Sequence, residues 1–488
     1  MKAPFPRRLR LVGVATTVFL IAISLTLLVA WHFDSKAPSH IWTAGEIMTR
    51  LFAFPALITA LVVTWSLQSH SIESAAAETP LTPITLERQF RAQVVGVQWM
   101  NPLVRRDYPT EWQLLWTLGL SAPNIKDDMV KTNPDLFSSI QPIVPIVSNR
   151  TGKTIFSRFF GGYVDEILRP FGSRYVLNAN YFYTIQPQST KDWRELAGIH
   201  IEFALPDTPL LPPDEAVRIV QAEMKSEFQF HNPKLSTRDI PADVHISIGG
   251  ANVGFTSLTA ALNYLQTHPK ESVWAMAWDA PDHPRYKLMT ENCVLLVLAG
   301  PDFDTKREPL AWIGYPAVRK SEEFETQPDA SRQLQAWQAA IRDAAKQADT
   351  TVPALGHVIH DAGFGSDLAG RRLAQVGHAL GALNPEFDFA TQTFNTPKLL
   401  GDMRAGTALT NVALAIAWTH QKGKPVLVLG TTETDRLSAV VVTPPARPRL
   451  FDPNRDWFRA RGEGNAYLPW WGLRKDADWA TYPQGFSD

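Results

Sequence analysis

The chain has 488 residues, enough for more than one ordinary domain or one large duplicated domain. Its 47 basic and 48 acidic residues leave a net charge of -1, which offers nothing to nucleic acid or a polyanionic substrate. A single cysteine, Cys293, excludes an intramolecular disulfide framework.

In chain order, the first feature is apolar. Leu11 to Phe33 carries no ionisable group except His32 and has the length of a membrane-spanning helix. A second uncharged run, Leu51 to Leu67, contains Pro55 and reads as a second span near the lower length limit. Lys2, Arg7, Arg8 and Arg10 precede the first span with no acid among them, so the positive-inside rule puts the N-terminus in the cytoplasm. With two spans the rest of the chain is cytoplasmic at the inner membrane; with one it is periplasmic. Residues 1–68 therefore read as a membrane anchor, with spans at about 11–33 and 51–67. Residues 69–90, rich in Ser, Ala, Thr, Pro and Glu, read as a linker.

Beyond the linker, helical and strand patterns alternate, which predicts α/β layers. "DVHISIG" is a β-rich run closed by glycines. After it, Leu258, Ala261, Leu262 and Leu265 recur at the spacing of an amphipathic helix. "SVWAMAWDA" and "NCVLLVLAG" read as buried strands. The order then recurs: "HVIHDAGFGSDLAGRRLAQVGHAL" is a strand end, a glycine turn and a helix. In the next helix Leu409, Val412, Ala413, Ile416 and Ala417 form one stripe, followed by strands "KPVLVLG" and "LSAVVVTP". This predicts a duplicated α/β fold, with a first half at 91–300, a connection at 301–350, a second half at 351–445 and a Trp- and Arg-rich tail at 446–488.

Several chemistries can be weighed on these segments. "GGANVGFTS" has the spacing of a phosphate loop, but Phe255 stands where the loop needs Lys. His357, His360 and Asp361 cluster at a strand end without further ligands at useful spacing, so no metal site is expected. There is no G-x-S-x-G elbow, and Ser257 lies inside its helix. Cys293 sits in a buried strand, where thiols are inert. No catalytic residue, no metal and no cofactor are expected.

Together the segments resemble the thiolase-like condensing enzymes of the β-ketoacyl synthase group, over roughly Gly249 to Val442. In that resemblance Ser257 and Leu258 match the end of the small-residue run that follows the family's nucleophile, and the nucleophilic Cys falls on Gly254. "HDAGFGSDLAGRRL" is similar to the family's first histidine turn, with His360 at the His. "GDMRAGTALTNVAL" is similar to the second, with Asp402 at the His. Gly cannot form an acyl intermediate, and Asp would repel a developing oxyanion. The resemblance therefore implies a retained thiolase-like fold of duplicated α/β/α/β/α layers, preceded by one or two transmembrane helices, with Gly254, His360 and Asp402 as degenerate former active-site positions.

The apolar N-terminus, "GANVGFTSLTAALNYL" and "GDMRAGTALTNVALAIAWTHQKGKPVLVLG" further resemble the bacterial type VI secretion lipase-adaptor proteins. That resemblance implies a non-enzymatic adaptor of the inner membrane, which binds a phospholipase effector and helps load it on the secretion spike protein. The alternatives are a membrane-anchored acyl-binding or acyl-transfer protein using His360, and a structural envelope protein. Trp457, Trp470 and Trp471 in the tail are candidate partner-binding residues, as is the region Ala92 to Asp243.

Overall fold

The computed structural model describes residues 90–100, 110–120, 153–168, 196–230, 232, 238–280, 291–305, 308–434 and 436–448, all within the unit Leu86–Asp488. The expected spans, the linker up to residue 89, and Trp457, Trp470 and Trp471 lie outside them. Among the described residues no helix is long and apolar enough to cross a membrane.

The strands are β1 (Ala92–Met100), β2 (His200–Pro206), β3 (Asp243–Gly249), β4 (Ser272–Asp279), β5 (Asn292–Ala299), β6 (Ala311–Ile313), β7 (Ala317–Arg319), β8 (His357–His360), β9 (Thr393–Asn395), β10 (Val426–Gly430) and β11 (Leu437–Thr443). The helices are α1 (Thr110–Thr117), α2 (Lys153–Leu168), α3 (Pro213–Glu227), α4 (Val253–Thr267), α5 (Arg332–Gln347), α6 (Asp367–Leu383), the short α7 (Thr396–Leu400) and α8 (Thr407–Lys422).

The strands form one sheet in the order β3-β2-β4-β5-β1-β6-β11-β10-β8-β9, with β7 paired to β11. The duplication is written in that order. In the first half, β3, β2 and β4 are parallel neighbours, and β5 and then β1 follow antiparallel. In the second half, β9, β8 and β10 are parallel neighbours, and β11 and then β6 follow antiparallel. The first strand of each half meets the other where β1 pairs with β6. In each half a helix precedes the innermost parallel strand: α4 before β4, α8 before β10.

This topology revises the expected boundaries. The stretch 301–350, expected as a connection, carries β6, β7 and α5 and opens the second half by its place in the sheet. "DVHISIG" is the outermost strand of the described sheet, with Asp243, His245 and Ile248 exposed.

Side-chain alternation assigns the layers. Trp274, Met276 and Trp278 of β4 pack with Cys293, Leu295 and Val297 of β5 against Phe160 and Val164 of α2 and Val220 and Met224 of α3. In the second half Val358 of β8, Leu427 and Leu429 of β10 and Val441 of β11 pack against Trp337 and Ile341 of α5 and Val376 and Leu380 of α6. The expected stripe Leu258, Ala261, Leu262 and Leu265 is buried, but α4 also buries Val253, Gly254, Phe255, Ser257 and Thr259. In α8 almost every residue from Thr407 to Gln421 is buried. Both helices read as amphipathic in sequence and are covered on nearly all sides, as a helix packed between layers must be.

Candidate functional site at the paired helix ends

The two central helices meet at their N-termini. A Cβ added at Gly254, the second residue of α4, would lie 3.0 Å from Cβ of Ala408 and 3.1 Å from the backbone N of Leu409. Carbon atoms in ordinary contact sit about 3.5–4.0 Å apart. Gly254 is therefore the residue that lets α4 approach α8 this closely.

Protein groups fill both helix ends. Ahead of α4, the Asn252 backbone N–H donates to Glu433 Oε1 at 3.3 Å and its side-chain amide donates to the Arg436 carbonyl at 3.2 Å. The Asn252 amide lies over Gly430 at the end of β10, where an added Cβ would come within 2.0 Å of Asn252 Oδ1. Ahead of α8, the Ala405 N–H donates to Asp279 Oδ2 at 3.0 Å, and the Asn292 amide lies over Gly406. Each half thus ends its innermost strand region with a carboxylate that faces the other half's helix. A helix N-terminus is a natural anion site; here Glu433 and Asp279 accept N–H groups just ahead of the two helices.

Asp402 is exposed, and its Oδ1 accepts the Arg404 N–H at 3.0 Å, which holds Arg404 at φ 44° in the turn before α8. His360 is buried at the end of β8. By alternation it shares a face with Val358, which belongs to the outer cluster, and its ring lies 6.0 Å from that of Phe389. Its Nδ1 accepts the Ala362 N–H at 3.3 Å, and Nε2 is buried without a partner. No hydrogen bond joins His360 to Asp402. Gly254 lies against α8, the His360 ring lies near Phe389, and Asp402 is exposed. Two cavities, of about 490 and 430 Å³, are lined respectively by residues around His357, Trp418 and Lys424 and around Arg342 and Val352, and by none of these three.

The remaining expected groups have structural partners. His357 stacks on Trp418 at 4.8 Å. Asp361 is buried; its Oδ1 accepts the Thr431 N–H at 2.6 Å and hydroxyl at 2.7 Å, and its Oδ2 accepts the Thr432 hydroxyl at 2.7 Å. Ser257 donates its hydroxyl to the Glu202 carbonyl at 2.7 Å, across to β2. Cys293 is buried, and burial pushes its thiol well above the ordinary range.

Burial also sets opposed acid responses. It holds both His357 and His360 down at about 4, with His357 adding to the effect on His360. An unfolded chain takes up these protons near pH 6.5, so their contribution to stability is full above pH 6.5 and is lost as pH falls toward 4. Burial pushes Asp279 up to about 7, opposed by the Ala405 N–H and Arg404 and reinforced by Asp402. Its contribution has the reverse sign: it is present at low pH and lost as pH rises from about 4 to 7. Asp279→Asn keeps an acceptor for Ala405 and removes the opposing contribution. Its melting temperature will therefore fall more steeply than the parent's on acidification from pH 7 to 4; an equal or shallower fall would contradict the assignment.

The comparisons with known proteins agree with part of the sequence reading. Residues 310–444 match the family described as "Type VI lipase adapter protein Tla3, C-terminal", so the resemblance drawn from the sequence is borne out over that stretch. A search of curated proteins finds no match. Similar solved structures include an oxazolomycin ketosynthase domain of Streptomyces albus JA3453, at 11% identity and TM-score 0.43, covering 75% of this chain and 98% of that one. Others are the ishigamide ketosynthase/chain length factor, at 16% and 0.43, covering 72% and 99%, and the ketosynthase from module 6 of the bacillaene synthase of Bacillus subtilis 168, at 10% and 0.45, covering 74% and 71%. These likenesses carry no conclusion about activity, and the duplicated layering rests on the sheet order itself.

Proposed function

We propose that this chain is a non-enzymatic adaptor that binds a phospholipase effector and helps load it on the spike of a type VI secretion system, with the body anchored at the bacterial inner membrane by residues 1–68. The match of residues 310–444 to the lipase adapter family carries this reading. The helix ends support it. Gly254 offers no nucleophile, and carboxylates of the chain itself, Glu433 and Asp279, accept N–H groups just ahead of the two central helices. The alternative, acyl chemistry at His360, is less favoured because that side chain is buried.

The matched region offers a docking patch. Phe364, in a loop where Gly363 and Gly365 adopt φ of 83° and 71°, and Leu368, in the first turn of α6, are 53% and 42% exposed. Exposed aromatic residues such as Phe364 are enriched at protein contacts. The tagged full chain, co-expressed with the lipase effector, will retain the lipase through size-exclusion chromatography. Phe364→Asp with Leu368→Asp will weaken that complex about 30-fold or more, the scale of a hot spot, without lowering the melting temperature. A chain that never retains the lipase overturns the adaptor reading; retention by the double variant moves the contact elsewhere.

A further inference from the structure

Outside the helix ends, β2 and β3 bring four ionisable side chains together. The strands are parallel, with His200 opposite Asp243 and Glu202 opposite His245. Two residues apart on each strand, these four share one face of the sheet. His200 is only 8% exposed in its side chain, whereas Asp243 and His245 stand at 56% and 53%. One atom each from His200, Asp243 and His245 lie within 4.8 Å of one another.

His200 is fixed in position and ring plane by its neighbours. Its Nε2 lies 2.8 Å from Glu202 Oε1, which requires an N–H on that nitrogen. The Tyr264 ring of α4 stacks on the imidazole at 3.8 Å with 8° between planes, and the His245 ring lies at 4.6 Å. Tyr264 is itself tied through its hydroxyl to Glu271. The other ring nitrogen, Nδ1, lies 2.7 Å from Asp243 Oδ2, while Asp243 Oδ1 lies 3.0 Å from His245 Nε2. Two carboxylates facing the two ring nitrogens call for a positive centre between Nδ1 and Asp243, supplied by a proton in the free chain and replaceable there by a metal ion. A carboxylate that donates nothing and accepts the N–H of a metal-binding histidine is the usual support for such a ligand, because it fixes the tautomer and the ring plane.

We propose that His200 Nδ1, His245 Nε2 and the Asp243 carboxylate bind one divalent transition-metal ion of the zinc class, with Glu202 as the positioning residue behind His200. Two imidazoles and one carboxylate are a donor set that zinc accepts, at about 2.0–2.2 Å from each atom and with a fourth position left to water. Ligand atoms of a tetrahedral site stand about 3.4 Å apart at those lengths. Reaching that spacing asks for movements of about 1.5 Å or less, and His245 on the exposed edge strand is free to make them. The ion would clamp the edge strand β3 to β2. Sequence reading passed over the site because His200 and Asp243 are 43 residues apart and only the parallel register joins them.

The proposal is independent of the adaptor reading. The test uses the full chain stripped by a chelator and titrated with Zn²⁺ alone against a chromophoric competitor, with Co²⁺ absorption as a second readout. One ion per chain is expected, with a tetrahedral cobalt spectrum and a rise in melting temperature on adding Zn²⁺. His245→Ala and Asp243→Asn, both at exposed positions, will lower the affinity at least 100-fold and abolish the melting shift. Glu202→Gln, which keeps an acceptor but loses the charge, will lower it about 10-fold. The absence of a stoichiometric ion overturns the proposal, and so does binding that His245→Ala and Asp243→Asn leave unchanged, since the ion would then lie on other histidines. Retention of the lipase by the metal-free chain leaves the adaptor reading standing whichever way this result falls.

Discussion

Gly406→Val will destabilise the body by about 3 kcal/mol or more, the cost of forcing volume into a filled core. A Cβ at this position would lie 1.6 Å from Asn292 Oδ1 and 2.3 Å from its Cγ. Asn292 has little room to withdraw. It is fully buried at the start of β5, and its backbone pairs with Asp279, whose carboxylate holds the Ala405 N–H. Moving the amide would loosen the strand end and the turn before α8 together. Gly377→Ala is the control: an added Cβ at that position meets nothing within 4 Å, and alanine favours a helix by up to about 1 kcal/mol over glycine. Thermal melting and urea midpoints of the two variants should move in opposite directions. Parent-like stability for Gly406→Val would show that the α8 end is not held as described.

The second large effect is at Asp361. Its carboxylate accepts three hydrogen bonds from Thr431 and Thr432, tying the end of β8 to the end of β10. Asp361→Ala leaves the Thr431 N–H and two hydroxyls without that acceptor. Orphaned buried donors cost about 1–3 kcal/mol each when they cannot reach water, and since Thr432 is only partly buried the expected loss is about 3 kcal/mol. Hydrogen exchange at the Thr431 amide should accelerate in step with the fall in melting temperature. Asp361→Asn keeps one acceptor but turns an amide N–H₂ toward a donor, so it should fall between the two. Unchanged exchange at Thr431 in Asp361→Ala would remove the carboxylate from this role.

The sequence was most readable where local period and burial agree. β4, β5, β10 and β11 are short apolar runs and α4 and α8 carry clear stripes, so the repeated order of helix, strand and strand could be seen without a structure. β1 and β2 are also buried, but they take their places beside strands far along the chain: β1 pairs with β5 and β6, and β2 with β3 and β4. No local pattern encodes that. The short β6 and β7 were lost in an expected connection because three residues carry no period.

The candidate site was legible only in part. Gly254 could be placed at a strand-to-helix turn from its neighbours, and the absence of a nucleophile followed directly. What lies at the two helix ends could not be read. Glu433 lies 181 residues from Asn252 and Asp279 lies 126 from Ala405, so the filling of the two helix ends is a property of the duplicated fold. The face taken by His360 was also invisible, because the aligned turn fixes its position in the chain and not the side of the sheet it occupies.

The most direct test of an adaptor without catalysis is export of the lipase effector from a strain lacking this chain, measured as lipase in the culture medium. The proposed function predicts that export stops without the chain. It is restored by the full chain and by a variant with Asp402→Ala, which removes the last polar side chain of the aligned positions that faces solvent. Export that persists without the chain, or that the Asp402→Ala variant fails to restore while folding normally, would contradict it.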